Sequence, residues 1–484
     1  MYLGVDLGTS SIKVLLSDDS GNILSSISKN FNLYNPLPNY YEENPDEWYQ
    51  ALVDILLDLN KKYDIKKVKA ISFSGQMHGL VTLDKYDKVI RNAILWNDSR
   101  NEKEVEYLNN TIGEQFLLKE VSNIAMCGFT LPKLLWMKNH EKDNFESINK
   151  IMLPKDYLVY KLSGNFVSDK SDLSGTLLYN SQKNAYSAKI LNILGINESQ
   201  LPKILNSYEC AGNVSKKASQ ETGLSQNCLV IVGGDDQAVG ALGAGILDEN
   251  EMSMSLGTSG TLFASLNQFS YDTKARVHSF KHVNDKFCFL ACTLSCANSL
   301  TRRVEKILNK KDFESVLDEI DIDSKNEILL LPYLCGERCP INNPKAKGIF
   351  FGLNDYYLKK DLTKAIVEGI AFSLYDNFLI FKELGVNPSK IITIGGASRN
   401  NKIMQIFADI FNLPLARITT SEGCGLGAIL LAIKGKHPEV DLKELTKKVV
   451  KEKDVFLPRL NYHEFYQKKF IKYKKLYKST LELL

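Results

Sequence analysis

The turn Asp6-Leu7-Gly8-Thr9-Ser10-Ser11 recurs as Ser255-Leu256-Gly257-Thr258-Ser259-Gly260, and this repetition constrains the fold of the 484-residue chain more than any other feature. Short apolar runs flank each copy: Tyr2 to Val5 and Ile12 to Leu16 around the first, Met252 to Leu256 and Thr261 to Ala264 around the second. Both therefore read as the tip of a β-hairpin. Glycine lets backbone N–H groups converge on an anion, and the Thr and Ser hydroxyls add donors. A single turn of this composition says little, because such tips are common and most bind nothing. Two in matching contexts imply related halves that face each other across a cleft, with a polyphosphate held between them.

A chain of this length exceeds one core, and domains of roughly 100 to 250 residues give two, placed at residues 1–244 and 245–484. Hydrophobic content of 44% with 24% charged residues is that of a globular protein, and 60 basic against 57 acidic residues leave no field that would draw nucleic acid. The basic cluster Lys447 to Lys453, continued by Lys468 to Lys478, falls on helical periodicity and reads as a solvated helix face. No run approaches the roughly 18 apolar residues of a membrane span, and the chain enters a strand at once with no apolar leader. No membrane association and a cytoplasmic location are expected. None of the nine cysteines sits in a Cys-x-x-Cys pair. Cys288, Cys292 and Cys296 recur every fourth residue without interleaved carboxylates, so buried reduced thiols are expected rather than a metal site.

Residues 1–35 alternate as consecutive antiparallel strands, broken at Asp18 to Asn22. A helix fits Pro45 to Asn60, with Asn44 as N-cap and Trp48, Leu52, Ile55 and Leu56 on one face. The run Val68 to Ser74 is a buried strand that delivers Gly75-Gln76-Met77-His78-Gly79 at its end. Ligands collect beyond the carboxyl ends of strands in open α/β sheets, which puts His78 where a substrate would lie. A strand from Leu229 leads to Gly233-Gly234-Asp235-Asp236 and a helix of small residues; a later strand, Ile391 to Ile394, leads to Gly395-Gly396-Ala397-Ser398-Arg399-Asn400 and an amphipathic helix. A glycine-rich strand-to-helix turn suits a nucleotide. The glycines of Glu422 to Ala428 serve either close helix packing or ligand contact.

Asp6, at a strand tip beside a phosphate turn, is placed to hold Mg²⁺ or to cap the turn. Lys13 is placed either to meet a terminal phosphate or to lie in solvent. Of Asp235 and Asp236, adjacent side chains at a helix start, one should cap the helix while the other faces the cleft and takes a proton from a hydroxyl. The residues alone do not decide which. Gln76, Met77 and His78 form a ledge able to bind a polyol, against the alternative that His78 is structural.

The whole chain resembles the FGGY carbohydrate kinases, through two long patterns. Gly128-Phe129-Thr130-Leu131-Pro132-Lys133-Leu134-Leu135-Trp136-Met137-Lys138-Asn139-His140 matches the first. Gly348-Ile349-Phe350-Phe351-Gly352-Leu353, followed after seven residues by Asp361-Leu362 and then Ala365-Ile366-Val367-Glu368, matches the second. Segments 75–79, 94–100, 153–158 and 331–338 resemble bacterial members of the family that act on xylulose.

That resemblance implies an α/β fold of two actin-like (ribonuclease-H-like) domains and ATP-dependent phosphorylation of D-xylulose to D-xylulose 5-phosphate. Asp236 would be the catalytic base, supported by Gln237 beside the sugar, and Asp6 would position metal and phosphate, with Asp6 and Asp236 as candidate Mg²⁺ ligands. Met77 and His78, with Gln76, would bind the sugar. Thr9, Ser10, Lys13, Gly257, Thr258, Gly395, Gly396, Ala397 and Asn400 would bind ATP. The family usually carries Gly where this chain has Asp235; Asp236 is chosen because Gln237 follows it. Other acceptors in the family (L-ribulose, L-xylulose, gluconate, glycerol), a non-catalytic actin-like ATPase and a homodimer are the alternatives left open.

Overall fold

The computed structural model describes residues 1–307, 312–420 and 422–483. Strand β1 (Tyr2–Leu7) pairs antiparallel with β2 (Ser11–Ser17), with Tyr2 opposite Ser17 and Leu7 opposite Ile12, and β3 (Ile23–Asn30) extends the meander. Helix α1 (Pro45–Asn60) starts where the Asn44 side chain accepts from the Asp46 N–H at 3.0 Å, and it buries Trp48, Leu52, Ile55 and Leu56 against this sheet. Strand β4 (Ala70–Gly75) pairs parallel with β1. Helices α2 (Thr130–His140), α3 (Pro154–Ser163) and the short α4 (Lys170–Ser174) follow. The sheet is completed by β5 (Cys210–Asn213), β6 (Leu229–Ile231) and β7 (Gly234–Asp235), after which α5 (Asp236–Gly243) begins. Its order is β5-β6-β4-β1-β2-β3, with β7 also on β4.

The second sheet repeats the plan. Strand β8 (Met252–Leu256) pairs antiparallel with β9 (Gly260–Leu266), which is followed outward by β11 (Phe287–Thr293) and by β10 (His278–Lys281) at the edge. After the long helix α6 (Lys359–Glu383), β12 (Ile391–Ile394) pairs parallel with β8 as β4 does with β1. Helix α7 (Asn401–Phe411) and β13 (Leu415–Ile418) follow, and the edge strand β14 (Glu452–Phe456) closes the order β10-β11-β9-β8-β12-β13-β14. The duplicated hairpin tips therefore top two sheets of the same topology, as the repeated turn implied. Among the described residues no helix is long and apolar enough to cross a membrane.

The two cores do not divide at one point along the chain. Helix α8 (Gly423–Lys436) belongs to the second half by sequence but lies on the first sheet, across α5. A β-carbon on Gly4 would strike the Gly425 carbonyl, one on Gly427 would strike the Val239 carbonyl, and one on Gly243 would strike the Gly423 carbonyl. The glycines of Glu422 to Ala428 are thus used for backbone-to-backbone packing at the crossing of the two halves.

The basic cluster departs from the expectation of one solvated helix face. The helix Leu442–Val449 ends within Lys447 to Lys453, and the rest of that run enters β14. On α9 (Leu460–Ser479), Lys469 is fully buried, ion-paired with Glu368 at 2.6 Å and bonded to the Asn326 carbonyl at 2.8 Å. A buried ammonium needs such partners, so the periodicity of lysines alone misplaces it.

Candidate active site

Three chain segments converge at the carboxyl ends of β1, β4 and β7. In register Asp6 lies between Lys13 on β2 and Ser74 on β4. Burial pushes the Asp6 carboxyl up to about 6, against the lowering effect of the Ser74 hydroxyl and Lys13. Lys13 itself is ion-paired with Glu422 at 2.9 Å, at the start of α8.

Asp235 and Asp236 separate as expected of adjacent residues at a helix start, and Asp235 is the one that caps the helix. Asp235 has extended backbone at φ −63°, ψ 156°, and its buried carboxylate accepts from the Ala238 N–H at 2.8 Å as the N-cap of α5. Its own N–H donates to Ser171 Oγ at 3.2 Å. Asp236, the first helical residue, is only half-buried and accepts from Gln237 Nε2 at 3.2 Å. Burial, with the charges of Asp235 and Asp6 added, pushes its carboxyl up to about 8. The Asp6 charge is one of those that raise Asp236, so the two carboxyl groups lie near each other, and they are the hard-oxygen donors that a divalent cation would use here. Cys424 of α8 donates from Sγ to the Asp236 carbonyl at 3.4 Å and so ties the turn to the helix crossing.

The sugar-side ledge is built from the end of β4. Gln76 Nε2 donates to Glu43 Oε2 at 3.0 Å, an oxygen that also accepts from Trp48 Nε1 at 2.9 Å. Among the described residues Gln76 Oε1 and Glu43 Oε1 are buried without a partner. Met77 is buried. His78 adopts φ 67°, its Nδ1 lies 2.7 Å from the Gly175 carbonyl, and its ring packs edge-on against Phe129 at 4.5 Å between centroids. The contact to a carbonyl assigns the proton to Nδ1 and leaves Nε2 as an acceptor. Burial, then the charges of Lys133 and Arg338, hold the ring neutral by lowering its pKa well below the usual value. The structural reading of His78 accounts for one ring nitrogen, which is committed to the fold, and leaves the other without an assigned partner.

Several residues of the site carried no assigned role in the sequence. Lys133, within the first family pattern, is fully buried and donates to the carbonyls of His78 at 2.8 Å and Gly128 at 2.6 Å, and Thr130 Oγ1 adds a bond to His78 at 3.1 Å. Trp96 Nε1 donates to Thr9 Oγ1 at 2.9 Å, which occupies one face of that hydroxyl, whereas Ser10 beside it is exposed. Beneath the ledge, the buried Lys155 ammonium pairs with Asp156 at 2.6 Å and Asp169 at 3.0 Å, and lies 3.6 Å from Asp172. Asp169 Oδ2 accepts from Ser171 Oγ at 2.5 Å, and Ser171 in turn meets Asp235. Helix α4 therefore joins the acidic turn, through Ser171, to His78, through Gly175. For Trp96, Thr130, Lys133, Lys155 and Asp156 the signal was present only as membership of the quoted segments; Asp169, Ser171, Asp172 and Gly175 lie outside them and carried none.

On the opposite half, Thr258 lines a cleft of about 500 Å³ together with Ala297, Asn298, Thr301, Leu334 and Cys335. Gly257 precedes it, its carbonyl bonded by the Ala297 N–H at 2.9 Å. Gly395 has φ 93°, and a β-carbon there would lie 2.7 Å from the Leu256 carbonyl group, so only glycine lets this turn close on the end of β8. Gly395 and Gly396 are exposed. Ala397 instead faces the core, and both side-chain atoms of Asn400 are engaged: Oδ1 caps α7 through Lys402 and Ile403, and Nδ2 donates to Glu314 at 3.0 Å. A backbone ligand site at Gly395-Gly396 is compatible with this; a side-chain contact from Asn400 requires exchange of its present bonds.

Comparison with known proteins matches residues 1–243 to the N-terminal domain of the FGGY family of carbohydrate kinases and residues 252–435 to its C-terminal domain. The chain is 37% identical over 479 residues to a xylulose kinase of Staphylococcus xylosus, covering 98% of this chain and 99% of that protein. A ligand-bound xylulose kinase from Lactobacillus acidophilus superposes with a TM-score of 0.94 at 27% identity, and a gluconate kinase from the same organism with 0.94 at 26%; both alignments cover 99% of this chain and 98% of the other. Backbone likeness is thus equal for two acceptors, and the choice between them rests on side chains.

Proposed function

This chain belongs to the FGGY family of carbohydrate kinases, and on that premise we propose that it transfers the γ-phosphoryl group of ATP to the C5 hydroxyl of D-xylulose, giving D-xylulose 5-phosphate and ADP. The observation that carries the reading is the division of labour at Asp235-Asp236: one carboxylate is consumed by the helix cap and the other is left half-buried, opposite Asp6, with its pKa raised into the range useful to a base. Asp236 takes the proton of the acceptor hydroxyl, the oxygen forms a bond to the γ-phosphorus, and the bond from that phosphorus to the β–γ bridging oxygen breaks with its electron pair leaving on ADP. The ledge of Gln76, Met77 and His78 orients the sugar, with Gln237 steadying the Asp236 carboxylate from beside it. The exposed backbone of Gly395-Gly396 and the turn at Gly257-Thr258 receive the nucleotide, and the first tip at Thr9-Ser10 lies towards its phosphates. Lys13 reaches a phosphate only by giving up Glu422.

Mg²⁺ fits the donor set of Asp6 and Asp236, and when bound it would neutralise phosphate charge there. Alignment and exclusion of water by closure of the cleft supply much of the acceleration. The test is ADP release measured over D-xylulose, L-ribulose, L-xylulose, gluconate and glycerol. The reading predicts the highest kcat/KM with D-xylulose; a higher value with any other acceptor overturns the assignment of the sugar, and ATP turnover unaffected by every sugar favours the actin-like ATPase instead.

A further inference from the structure

We infer that Arg338, carried by the second half of the chain, is a sugar-contacting residue whose guanidinium reaches across to the wall formed by Gly128 and His78 and binds the C1–C2 end of the acceptor ketose. The inference rests on the preceding reading of the site.

Arg338 Nη2 comes so near Gly128 that a β-carbon on that glycine would lie 3.4 Å from it, and only 2.6 Å from the Trp96 carbonyl oxygen. The glycine is required by the Trp96 carbonyl, and the Arg338 side chain lies within van der Waals reach of this wall from the second half. The guanidinium is half-buried, and among the described residues it has no carboxylate partner and donates no hydrogen bond. The neighbouring Glu337 does not serve it: Oε1 is turned to the Leu294 N–H at 2.7 Å and to the Arg338 backbone N–H at 2.8 Å. A rigid fork of N–H donors that takes no protein acceptor among the described residues matches a ligand that presents two oxygens side by side.

The surroundings decide which ligand. Arg338 is among the charges that lower the pKa of His78 and of His278, and so belongs to the ledge side of the cleft. The charges acting most on Asp236 are Asp235 and Asp6, and those on Asp6 are Lys13 and Glu422. A guanidinium placed on the path of the phosphoryl group would instead dominate those carboxyls by lowering them. With the C5 hydroxyl at Asp236, the carbonyl and hydroxyl at the opposite end of D-xylulose are the paired oxygens left for this fork. Because the ledge and Arg338 come from different halves, the sugar is gripped from both sides of the cleft.

The test compares wild-type protein with R338A and R338K, using D-xylulose and 1-deoxy-D-xylulose in steady-state ADP-release assays. R338A should raise the KM for D-xylulose by about tenfold or more, as expected when a site loses a hydrogen-bonding partner for the substrate, while leaving the KM for ATP within about twofold; it should also lose the preference of wild type for D-xylulose over the 1-deoxy sugar. R338K keeps the charge and loses the fork, should fall between the two, and serves alone if R338A does not fold. An unchanged KM for D-xylulose in both variants, or retained preference over the 1-deoxy sugar, overturns the inference. If wild type turns over a different polyol, the acceptor assignment fails separately, and Arg338 is judged by the same KM ratio on that polyol.

Discussion

Lys133 Nζ donates to the carbonyl oxygen of His78 at 2.8 Å and so holds the ledge residue in its left-handed conformation, φ 67°. The ammonium is fully buried, and burial lowers its pKa to about 7. Without it the carbonyls of both His78 and Gly128 lose a donor. Lys133→Met is expected to destabilise the fold by about 1–3 kcal/mol, the cost of leaving a buried acceptor unpaired, and to raise the sugar KM more than it lowers kcat. Thermal unfolding together with sugar kinetics checks this; an unaltered melting temperature and KM would show that the bond is dispensable.

His78 has one nitrogen fixed by Gly175 and the other available as an acceptor. His78→Ala should therefore raise the Michaelis constant for the sugar and leave that for ATP alone. If the sugar constant does not move, the histidine is structural and the ledge must be redrawn.

Ser171 touches the acidic turn from beneath, accepting from the Asp235 N–H and donating to Asp169. It contacts no candidate ligand surface, so it acts by positioning. Ser171→Ala is expected to lower kcat by about tenfold with the sugar KM within about twofold, the mark of a misplaced reacting group. A rise in KM with kcat preserved would place its role in the sugar wall instead.

How much of this was legible in the sequence depended on how local the cause was. The hairpin tips, the Asn44 cap and the strand end carrying Gln76-Met77-His78 are set by neighbours a few residues away, and periodicity with turn chemistry found them. The rule that one of Asp235 and Asp236 must cap the helix was also local, but which one does so depends on the backbone at Asp235, extended by its place on β7. Lys133 and His78 stand 55 residues apart, and Lys13 and Glu422 stand 409 apart. No periodicity reports such pairs. The placement of α8 on the first sheet was hidden for the same reason, since linear order assigns it to the second half. Lys469 reads as one more surface lysine until Glu368 is brought against it.

The raised carboxyls also set a pH signature for the ligand-free protein. Asp6 at about 6, Asp235 at about 7 and Asp236 at about 8 all lie above the ordinary carboxyl value, chiefly through burial. The folded state then binds more protons than the unfolded state at intermediate pH, so this contribution is full in acid, below the unfolded pKa, and is lost as pH rises through the folded values. Asp236→Asn removes one such group. Its urea midpoint should exceed that of wild type near pH 8.5 and approach it near pH 4 (the ordinary carboxyl pKa range); a difference that does not grow with pH would mean that Asp236 is not held in this environment.

The central claim, that Asp236 activates the acceptor alcohol, is tested most directly by the turnover of Asp236→Asn with saturating sugar, ATP and Mg²⁺, alongside equilibrium binding of the sugar and of ATP. Loss of a positioned base should lower kcat on the order of 10²- to 10⁴-fold while both ligands still bind. Turnover near that of wild type would contradict the account.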